Sequence, residues 1–299
     1  MKSTFFAGLA LALSLLAPAF SAPAKFEVGA LQVEQTGKSE PAVILIPGLA
    51  CGPWVWRDTA ARLAKDHAVY LLTLPGFDGR APQAGVTLET LQGDLLALIE
   101  SKHIRKPVIA GHSLGGTLAL GFATRHSSSI AGVIAVDGLP VFPGTERMTG
   151  DRRPLGEQMR AQIGGQTREQ FVLGQQAYMK QIGSIDEAVA KMLAEQSSRS
   201  DTGATADFGA QMMMVDLRAQ LPQIKVPVVE ISPFNAPDFA AMNVDEAGKT
   251  AYYRALLTGV GKLEVVSISP ARHFVMFDQP AKFAEALDHA LASMAEPLR

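Results

Sequence analysis

The sequence predicts an α/β protein: a mostly parallel, twisted β-sheet with helices on both faces. Three observations lead to this fold class. Short continuous apolar runs, bounded by turn residues, are typical of strands that are buried on both faces. These runs alternate with segments of helical hydrophobic spacing, which indicates strand–helix–strand connections. A long helix-like stretch then interrupts the alternation and predicts a helical insertion.

The alternation begins near residue 40. The apolar runs of the first half predict strands at residues 43–46, 69–72, 108–110 and 134–136. Between them, helical spacing predicts helices at residues 56–65, 87–100 and 114–125. The second of these helices has the clearest signal, because Thr87 is a suitable N-cap and Leu88, Leu91, Leu95 and Leu98 repeat at helical spacing.

The pattern changes after the fourth strand. Helix-like stretches occupy residues 155–163, 167–182, 184–197 and 204–219, with no convincing strand among them. The alternation resumes with a strand at 226–231, a helix near 245–258, a strand at 263–268 and a last helix at 281–294. We therefore predict a core of residues 25–139 and 223–299, with residues 140–222 as a helical cap or lid.

The N-terminus has the features of a secretory signal. Lys2 precedes an apolar run at residues 5–16, and small residues follow it as cleavage candidates. We predict that residues 1–24 are a removed signal peptide, because cleavage after Ala22 would leave Pro23 at the new N-terminus. The apolar run is too short to span a bilayer comfortably. A secreted or periplasmic protein without a stable membrane span is expected.

Composition excludes several classes of partner and site. The chain has 27 basic and 29 acidic residues, a net charge of −2, and no basic block. Nucleic acid or an anionic membrane is therefore not expected as the main partner. Cys51 is the only cysteine, so neither an intramolecular disulfide nor a cysteine-based metal site is possible. Without an HExxH motif or a close His/Asp cluster, no metal or other cofactor is expected.

The segment Gly111-His112-Ser113-Leu114-Gly115 lies between a predicted strand and a predicted helix. A sharp strand-to-helix turn forces its central residue into strained backbone angles, and flanking glycines allow close approach of neighbouring elements. Such a turn presents the serine hydroxyl above the carboxyl edge of the sheet. There the dipole of the helix N-terminus favours an oxyanion. Ser113 is therefore the predicted nucleophile.

Over residues 26–295 the chain resembles the α/β-hydrolase superfamily. Three further segments carry the resemblance: Ile46-Pro47-Gly48-Leu49, the turn-rich residues 74–80, and Arg272-His273-Phe274 followed by Asp278-Gln279-Pro280. They resemble the His-Gly loop, the D-x-P-G-x-G-x-S segment and the G-H-x-x-x-x-E-x-P loop of that family. Pro47 replaces the usual histidine of the first. The resemblance implies an α/β-hydrolase fold with a helical cap and serine chemistry that needs no cofactor.

A serine nucleophile needs a general base to take its proton. Of the six histidines, only His273 follows a strand and lies in a loop near the carboxyl edge of the sheet. His112 is beside Ser113, but its side chain should leave the turn in another direction. The remaining histidines lie on or beside amphipathic helices. We therefore expect His273 to be the base.

The carboxylate that orients this histidine is less clearly indicated. The resemblance implies an acid just after the strand that follows the cap, and Asp238 fits if that loop is about two residues longer than usual. The rival is Asp137, at the end of the preceding strand, because some relatives carry their acid at that point. Asp245, or no acid, remains a further alternative. Asp238 is the preferred prediction.

The resemblance also assigns the oxyanion-hole donors to the backbone N–H groups of Leu49 and Leu114. Backbone donors are fixed before charge develops on the substrate, so side-chain identity matters little at these positions. Methionines are frequent in the predicted cap, and flexible methionines suit an adaptable apolar pocket. The run Met212-Met213-Met214 near the end of the cap is the predicted pocket wall, with Met213, Met214 and Trp54 as the preferred pocket residues.

These features predict a carboxylesterase-like serine hydrolase, of the 3.1.1 class. Its acyl-enzyme would form on Ser113, and the substrate would be a small ester, thioester or lactone with an apolar or aromatic acyl group. One alternative uses the same triad for C–C bond hydrolysis, peptide cleavage or perhydrolysis. A second is a non-catalytic, ligand-binding member of the fold, which a missing acid would favour.

Overall fold

A computed structural model describes residues 24–295, and these contain an eight-stranded sheet. The strands are β1 (Ala24–Val28), β2 (Leu31–Thr36), β3 (Val43–Ile46), β4 (Val69–Thr73), β5 (Val108–His112), β6 (Gly132–Val136), β7 (Val228–Pro233) and β8 (Leu263–Ile268). The predicted fold class is confirmed. The predicted signal peptide lies outside the described residues, except for Ala24, with which β1 begins.

The strand order is β1-β2-β4-β3-β5-β6-β7-β8. All pairs from β4 to β8 are parallel, whereas β2 pairs antiparallel with both β1 and β4. The hairpin of β1 and β2 was not predicted, because Lys25, Glu27 and Glu34 interrupt its apolar pattern. The order places β5, which precedes Ser113, between β3 and β6. Loops that leave the carboxyl ends of these strands therefore meet at one edge.

Eleven α-helices are defined within residues 24–295. They are α1 (Arg57–Leu63), α2 (Leu88–Ser101), α3 (Leu114–His126), α4 (Arg153–Gly164), α5 (Arg168–Tyr178), α6 (Glu187–Ser197), α7 (Thr202–Met214), α8 (Ala236–Phe239), α9 (Glu246–Leu256), α10 (Val275–Asp278) and α11 (Pro280–Met294). Helix α2 begins at the predicted cap, where Thr87 and Thr90 exchange side-chain to backbone hydrogen bonds.

Both faces of the sheet are buried, which explains the continuous apolar strands. In β3, Ile44 and Ile46 belong to a core cluster that contains residues of α2, α3 and α9. Val43 and Leu45 belong to a second cluster on the opposite face, with residues of α1 and α11. Alternate side chains of a strand point to opposite faces. Each face therefore requires apolar residues.

Helices α4 to α7, called the cap helices below, lie between β6 and β7 in the chain. Helix α4 packs along α7, and α5 packs against α6. The helix predicted at residues 167–182 ends at Tyr178, and a π-helical turn, Met179–Gly183, follows it. The bounds of a separate cap domain, 140–222, stay a prediction. Within residues 24–295, no helix has the length and apolar character needed to cross a membrane.

Candidate active site

Ser113 lies at the junction of β5 and α3, with φ 54° and ψ −118°. Its amide donates to the carbonyl of Val136 at 2.9 Å, which ties the turn to β6. A Cβ on Gly111 would lie 2.1 Å from the carbonyl oxygen of Gly115, and a Cβ on Gly115 would lie 2.4 Å from that of Ile46. Only glycine fits at both positions, as the sequence pattern indicated.

His273 lies in the loop between β8 and α10, and its Nδ1 is 2.5 Å from Oδ2 of Asp137. Asp137 follows β6 and has φ 50°. The side chain of His273 is only 11% exposed and that of Asp137 only 15%. Because Asp137 occupies Nδ1, Nε2 is the ring nitrogen that remains for proton transfer. Ser113, Asp137 and His273 line the same cavity.

Asp238 is not at this histidine, so the prediction that it contacts His273 is wrong. Its carboxylate accepts two hydrogen bonds from Arg272, at 2.6 Å and 2.8 Å, and a third from the side-chain amide of Asn235 at 2.9 Å. Asp245, the further alternative, caps α9 through the backbone N–H of Gly248. The chain after β7 turns into α8 and carries Asp238 toward Arg272. The carboxylate at His273 is that of Asp137, the rival candidate.

Asp137 is held as a carboxylate by its neighbours. Burial opposes its ionisation, but the hydrogen bond and charge of His273, with Lys249 and Tyr253 nearby, hold its pKa well below the usual range. The hydroxyl of Tyr253 donates to Oδ1. Burial and the charge of Asp137 raise the pKa of Glu230, a fully buried carboxyl on β7, well above its usual range. The negative charge therefore resides on Asp137.

The sequence pattern does not indicate Tyr253, which projects from α9, because no neighbouring motif marks it. Tyr253 is 116 residues from Asp137 in the chain, and only the fold brings the two side chains together. Lys249, one helical turn earlier, donates to the carbonyl of Pro233 and lies 5.1 Å from the ring centroid of Tyr253. Helix α9 thus contributes a donor and a partly buried cation to the surroundings of Asp137.

His112 is fully buried beneath the site. Its Nε2 lies 3.0 Å from the carbonyl oxygen of His273, and the two rings are 4.5 Å apart between centroids. A carbonyl can only accept, so Nε2 carries the proton. Burial and the neighbouring His273 lower the pKa of His112 to about 3. A neutral His112 therefore supports the backbone of the residue proposed as base.

This low pKa predicts how stability depends on pH. In the unfolded chain His112 takes up a proton near pH 6.5, whereas in the folded protein it does so at about 3. Between these values the unfolded state binds more protons, so the free energy of unfolding falls as pH falls. The contribution of His112 should be at most about 1.4 kcal/mol per pH unit.

Urea unfolding of the wild type and His112→Gln between about pH 4 and pH 7.5 measures this contribution. The wild type should lose stability more steeply once the pH falls below the ordinary pKa of histidine, because Gln has no proton to take up. The slope is the readout, since the substitution also changes the absolute stability. Parallel curves for the two proteins would contradict the assigned protonation of His112.

The loop after β3 brings Leu49 to the same cavity as Ser113. Ala50 has φ 56°, its carbonyl accepts from the hydroxyl of Ser200 at 2.9 Å, and the indole of Trp56 donates to the carbonyl of Ile46 at 3.0 Å. Among residues 24–295, the backbone N–H groups of Leu49 and Leu114 donate to no other protein atom. Both amides are thus available to a substrate oxygen, and their oxyanion role stays a prediction.

The cavity has a volume of about 630 Å³ and lies between the sheet edge and the cap helices. Met212 lines it, whereas the predicted Met213 and Met214 do not. On α7 the cavity face contains Thr205, Gly209 and Met212, which share one side of a helix, whereas Met214 packs against Gly156 of α4. The predicted Trp54 also lies elsewhere: its ring stacks on Phe274 with centroids 6.2 Å apart.

The lining of the cavity has little charge. Among the described residues, no Lys, Arg or Glu lines it, and the cap contributes three amide side chains, Gln162, Gln166 and Gln175. Cys51 also lines it, but burial and the nearby charge of Asp78 raise its pKa, so the thiol is protonated and a poor nucleophile. Within residues 24–295, no group of three or more His, Cys, Asp or Glu side chains could hold a metal ion.

Comparison with known proteins gives consistent likenesses. A model of the "Alpha/beta hydrolase family" matches residues 43–286. The carbendazim hydrolyzing esterase of Nocardioides sp. (strain SG-4G) is 36% identical over 126 residues, which are 41% of this chain and 52% of that enzyme. The match therefore spans about half the length of that relative.

Two further likenesses extend over most of the chain. The pimeloyl-[acyl-carrier protein] methyl ester esterase of Aeromonas hydrophila is 24% identical over 266 residues, covering 87% of this chain and 98% of that protein. The structure of the enol-lactonase from Burkholderia xenovorans LB400 has a TM-score of 0.71 and 21% identity, covering 90% of this chain and 100% of the lactonase. The region matched by the family model includes Ser113, Asp137 and His273.

Proposed function

Because the chain belongs to the alpha/beta hydrolase family, we propose that it is a serine hydrolase that cleaves carboxylic esters, including thioesters and lactones. The proposal depends on one observation above all. His273 Nδ1 lies 2.5 Å from the buried Asp137, at a cavity that Ser113 also lines. A carboxylate, a histidine and a serine so arranged are the groups that acyl transfer requires.

In the proposed mechanism, Ser113 Oγ attacks the ester carbonyl carbon while His273 Nε2 takes the hydroxyl proton. The carboxylate of Asp137 stabilises the imidazolium, and the amides of Leu49 and Leu114 donate to the oxyanion. Collapse of the tetrahedral intermediate breaks the bond to the leaving alcohol, which takes the proton from His273. Water then attacks the acyl-enzyme with His273 as base, which releases the acid and restores Ser113.

Two observations favour hydrolysis over a binding role without catalysis. A buried carboxylate, Asp137, lies at His273, so the three groups that the proposed mechanism needs line one cavity. Two of the compared proteins are named esterases and the third an enol-lactonase, which supports ester hydrolysis.

The cavity favours a neutral substrate with a largely apolar acyl group. Apolar residues of the core and cap, such as Leu139, Ile163 and Met212, form much of its wall. A charged substrate group would lose its hydration there without a counter-charge, at a cost of several kcal/mol. The three cap glutamines offer both donors and acceptors, which suits an uncharged polar substituent.

An ester series tests hydrolysis and this preference together. The p-nitrophenyl esters of hexanoic, adipic and 6-aminohexanoic acid have acyl chains of one length with a neutral, anionic or cationic end. We expect kcat/KM for hexanoate to exceed the other two by about 100-fold or more, because only it escapes the desolvation cost. Equal or faster turnover of the adipate ester would refute the preference.

The cap offers a matched pair of substitutions for the same measurement. Gln175→Lys places a cation at the cavity, whereas Gln176→Lys places it on the next residue of α5, outside the lining. The first should raise the adipate-to-hexanoate ratio of kcat/KM about 10-fold, because it supplies the missing counter-charge. The second should leave the ratio unchanged.

We further propose that the protein is exported and acts in the periplasm or outside the cell. The support is the sequence of residues 1–24, with Lys2, an apolar run and a small-residue cleavage site. N-terminal sequencing of the mature protein checks this proposal, and the expected first residue is Lys25. A mature protein that retains the apolar run would contradict it.

A further inference from the structure

Arg272, the residue before His273, joins three separate segments of the chain. Its Nε and Nη2 donate to the two oxygens of Asp238, at 2.8 Å and 2.6 Å. Its Nη1 donates to the carbonyls of Lys180 and Ser184, at 2.9 Å and 3.2 Å. The family pattern quoted above has glycine at this position, so the guanidinium is a feature of this chain.

The backbone around His273 makes further hydrogen bonds to the same cap segment, residues 180–185, which connects α5 to α6. The amide of His273 donates to the carbonyl of Ile182 at 3.1 Å, and that of Phe274 donates to Gly183 at 2.9 Å. Asp278, the last residue of α10, accepts from the hydroxyl of Ser184 at 2.5 Å. The segment of residues 272–278, which includes α10 and is called the histidine loop below, is thus attached to the cap along residues 180–185.

The same cap segment forms part of the cavity wall. Tyr178, Met179 and Ile182 line the cavity, and the ring of Tyr178 is 6.2 Å from that of His273 between centroids. Residues that would contact the substrate therefore belong to the segment that holds the base in place. A displacement of this segment would move the wall and His273 together.

The Arg272–Asp238 contact should affect position more than stability. The two side chains are 22% and 30% exposed, and ion pairs near the surface contribute little to the free energy of unfolding. A bidentate guanidinium–carboxylate contact, however, fixes direction as well as distance. The partners of Arg272 belong to different parts of the fold. Asp238 lies on α8 after β7, whereas the two carbonyls that accept from Nη1 belong to the cap.

We propose that Arg272 is a positioning residue for catalysis, which holds the histidine loop between Asp238 and the cap so that His273 stays aligned with Ser113. This inference rests on the proposed function, because it concerns the alignment of the proposed base. Asp238, at the point where the family resemblance implies the triad acid, acts through Arg272 instead. The cap segment 180–185 is thereby part of the support of the base.

Kinetics of Arg272→Lys, Asp238→Asn and the double variant test this proposal on neutral p-nitrophenyl esters. Lysine keeps the charge but cannot form the bidentate contact. Each single variant should lower kcat about 10- to 100-fold, because a displacement of about 1 Å can cost about 100-fold in rate. KM should change less than about 3-fold, because the displaced group is the base, which acts in the chemical step. The double variant should lose little more kcat than a single variant, because both substitutions remove the same contact between Arg272 and Asp238.

Arg62 and Asp288 provide the matched control. Their ion pair is also 2.6 Å long and joins α1 to α11, with side chains that are 34% and 57% exposed, so it connects two elements away from the cavity. Arg62→Lys and Asp288→Asn should keep the wild-type kcat. Hydrogen exchange provides a second readout: protection of residues 179–185 and 272–278 should fall together in the Arg272 and Asp238 variants but not in the controls.

The possible outcomes separate this proposal from the proposed function. Wild-type protein that neither hydrolyses esters nor reacts with a fluorophosphonate would refute the function itself. Active wild type with variant kcat values within about 3-fold of it would refute the positioning role alone. Loss of kcat that merely follows a fall in Tm would also overturn it, as would a loss in Asp238→Asn that matches or exceeds the loss in Asp137→Asn.

Discussion

Asp137→Asn should lower kcat about 10⁴-fold, whereas Asp238→Asn should lower it no more than about 100-fold. The carboxylate of Asp137 is bonded to His273 Nδ1 at 2.5 Å, and it fixes which ring nitrogen carries the proton. An asparagine can donate from its amide to Nδ1, so the imidazole proton moves to Nε2. The ring then cannot take the proton of Ser113.

The measurement is kcat on a neutral p-nitrophenyl ester for both variants, with circular dichroism as the check on folding. The fold should survive Asp137→Asn, because the amide retains an oxygen to accept from Tyr253 and has the volume of the carboxylate. An Asp137→Asn variant with about a tenth or more of the wild-type kcat would remove Asp137 from the triad. The loss of kcat should be larger for Asp137→Asn than for Asp238→Asn, because Asp238 acts on His273 only through Arg272.

Ser113→Ala should abolish turnover, with a loss of about 10⁵- to 10⁶-fold in kcat, and should also abolish labelling by a fluorophosphonate probe. The hydroxyl is the only part removed, and its oxygen is the atom that forms the acyl-enzyme. The substitution should leave stability nearly unchanged, because within residues 24–295 no hydrogen bond of the Ser113 hydroxyl holds the turn together. Its backbone bonds to Val136 and Gly116 remain.

His273→Ala complements Ser113→Ala, because it removes the proposed base instead of the nucleophile. It should lose turnover to a similar extent, but it should also destabilise the protein, because buried Asp137 would keep its charge without its main partner. His289→Ala is the matched control, since His289 is exposed and pairs with Glu264 away from the cavity. Probe labelling of Ser113→Ala at the wild-type rate would show that another residue is the nucleophile.

The parts of the site predicted from the sequence are those fixed by local geometry. Ser113 was identified because a strand, a glycine-flanked turn and a helix follow one another directly in the chain. His273 was identified because it alone among the histidines follows a strand of the sheet and lies in a loop. In both cases the local chain path determines where the side chain stands, and neighbouring residues in the sequence determine that path.

The acid and the pocket wall could not be predicted in this way. Whether Asp137 or Asp238 reaches His273 depends on the path of the chain after β7, where α8 carries Asp238 to Arg272. Likewise, Met212 rather than Met213 or Met214 lines the cavity because of the rotation of α7 against α4. A helical rotation of one residue, about 100°, separates a pocket residue from a packing residue.

By itself, the sequence determined the fold class, the core strands from β3 onward, and the positions of Ser113 and His273 in the chain path, because periodicity and turn chemistry are local properties. Only the tertiary structure decided that Asp137 is the carboxylate at His273, that Tyr253 donates to it, and that Arg272 joins the histidine loop to the cap. These contacts bring together residues that are 88 to 136 positions apart in the chain. The packing of helices and loops on the sheet, and not the local sequence, sets their distances.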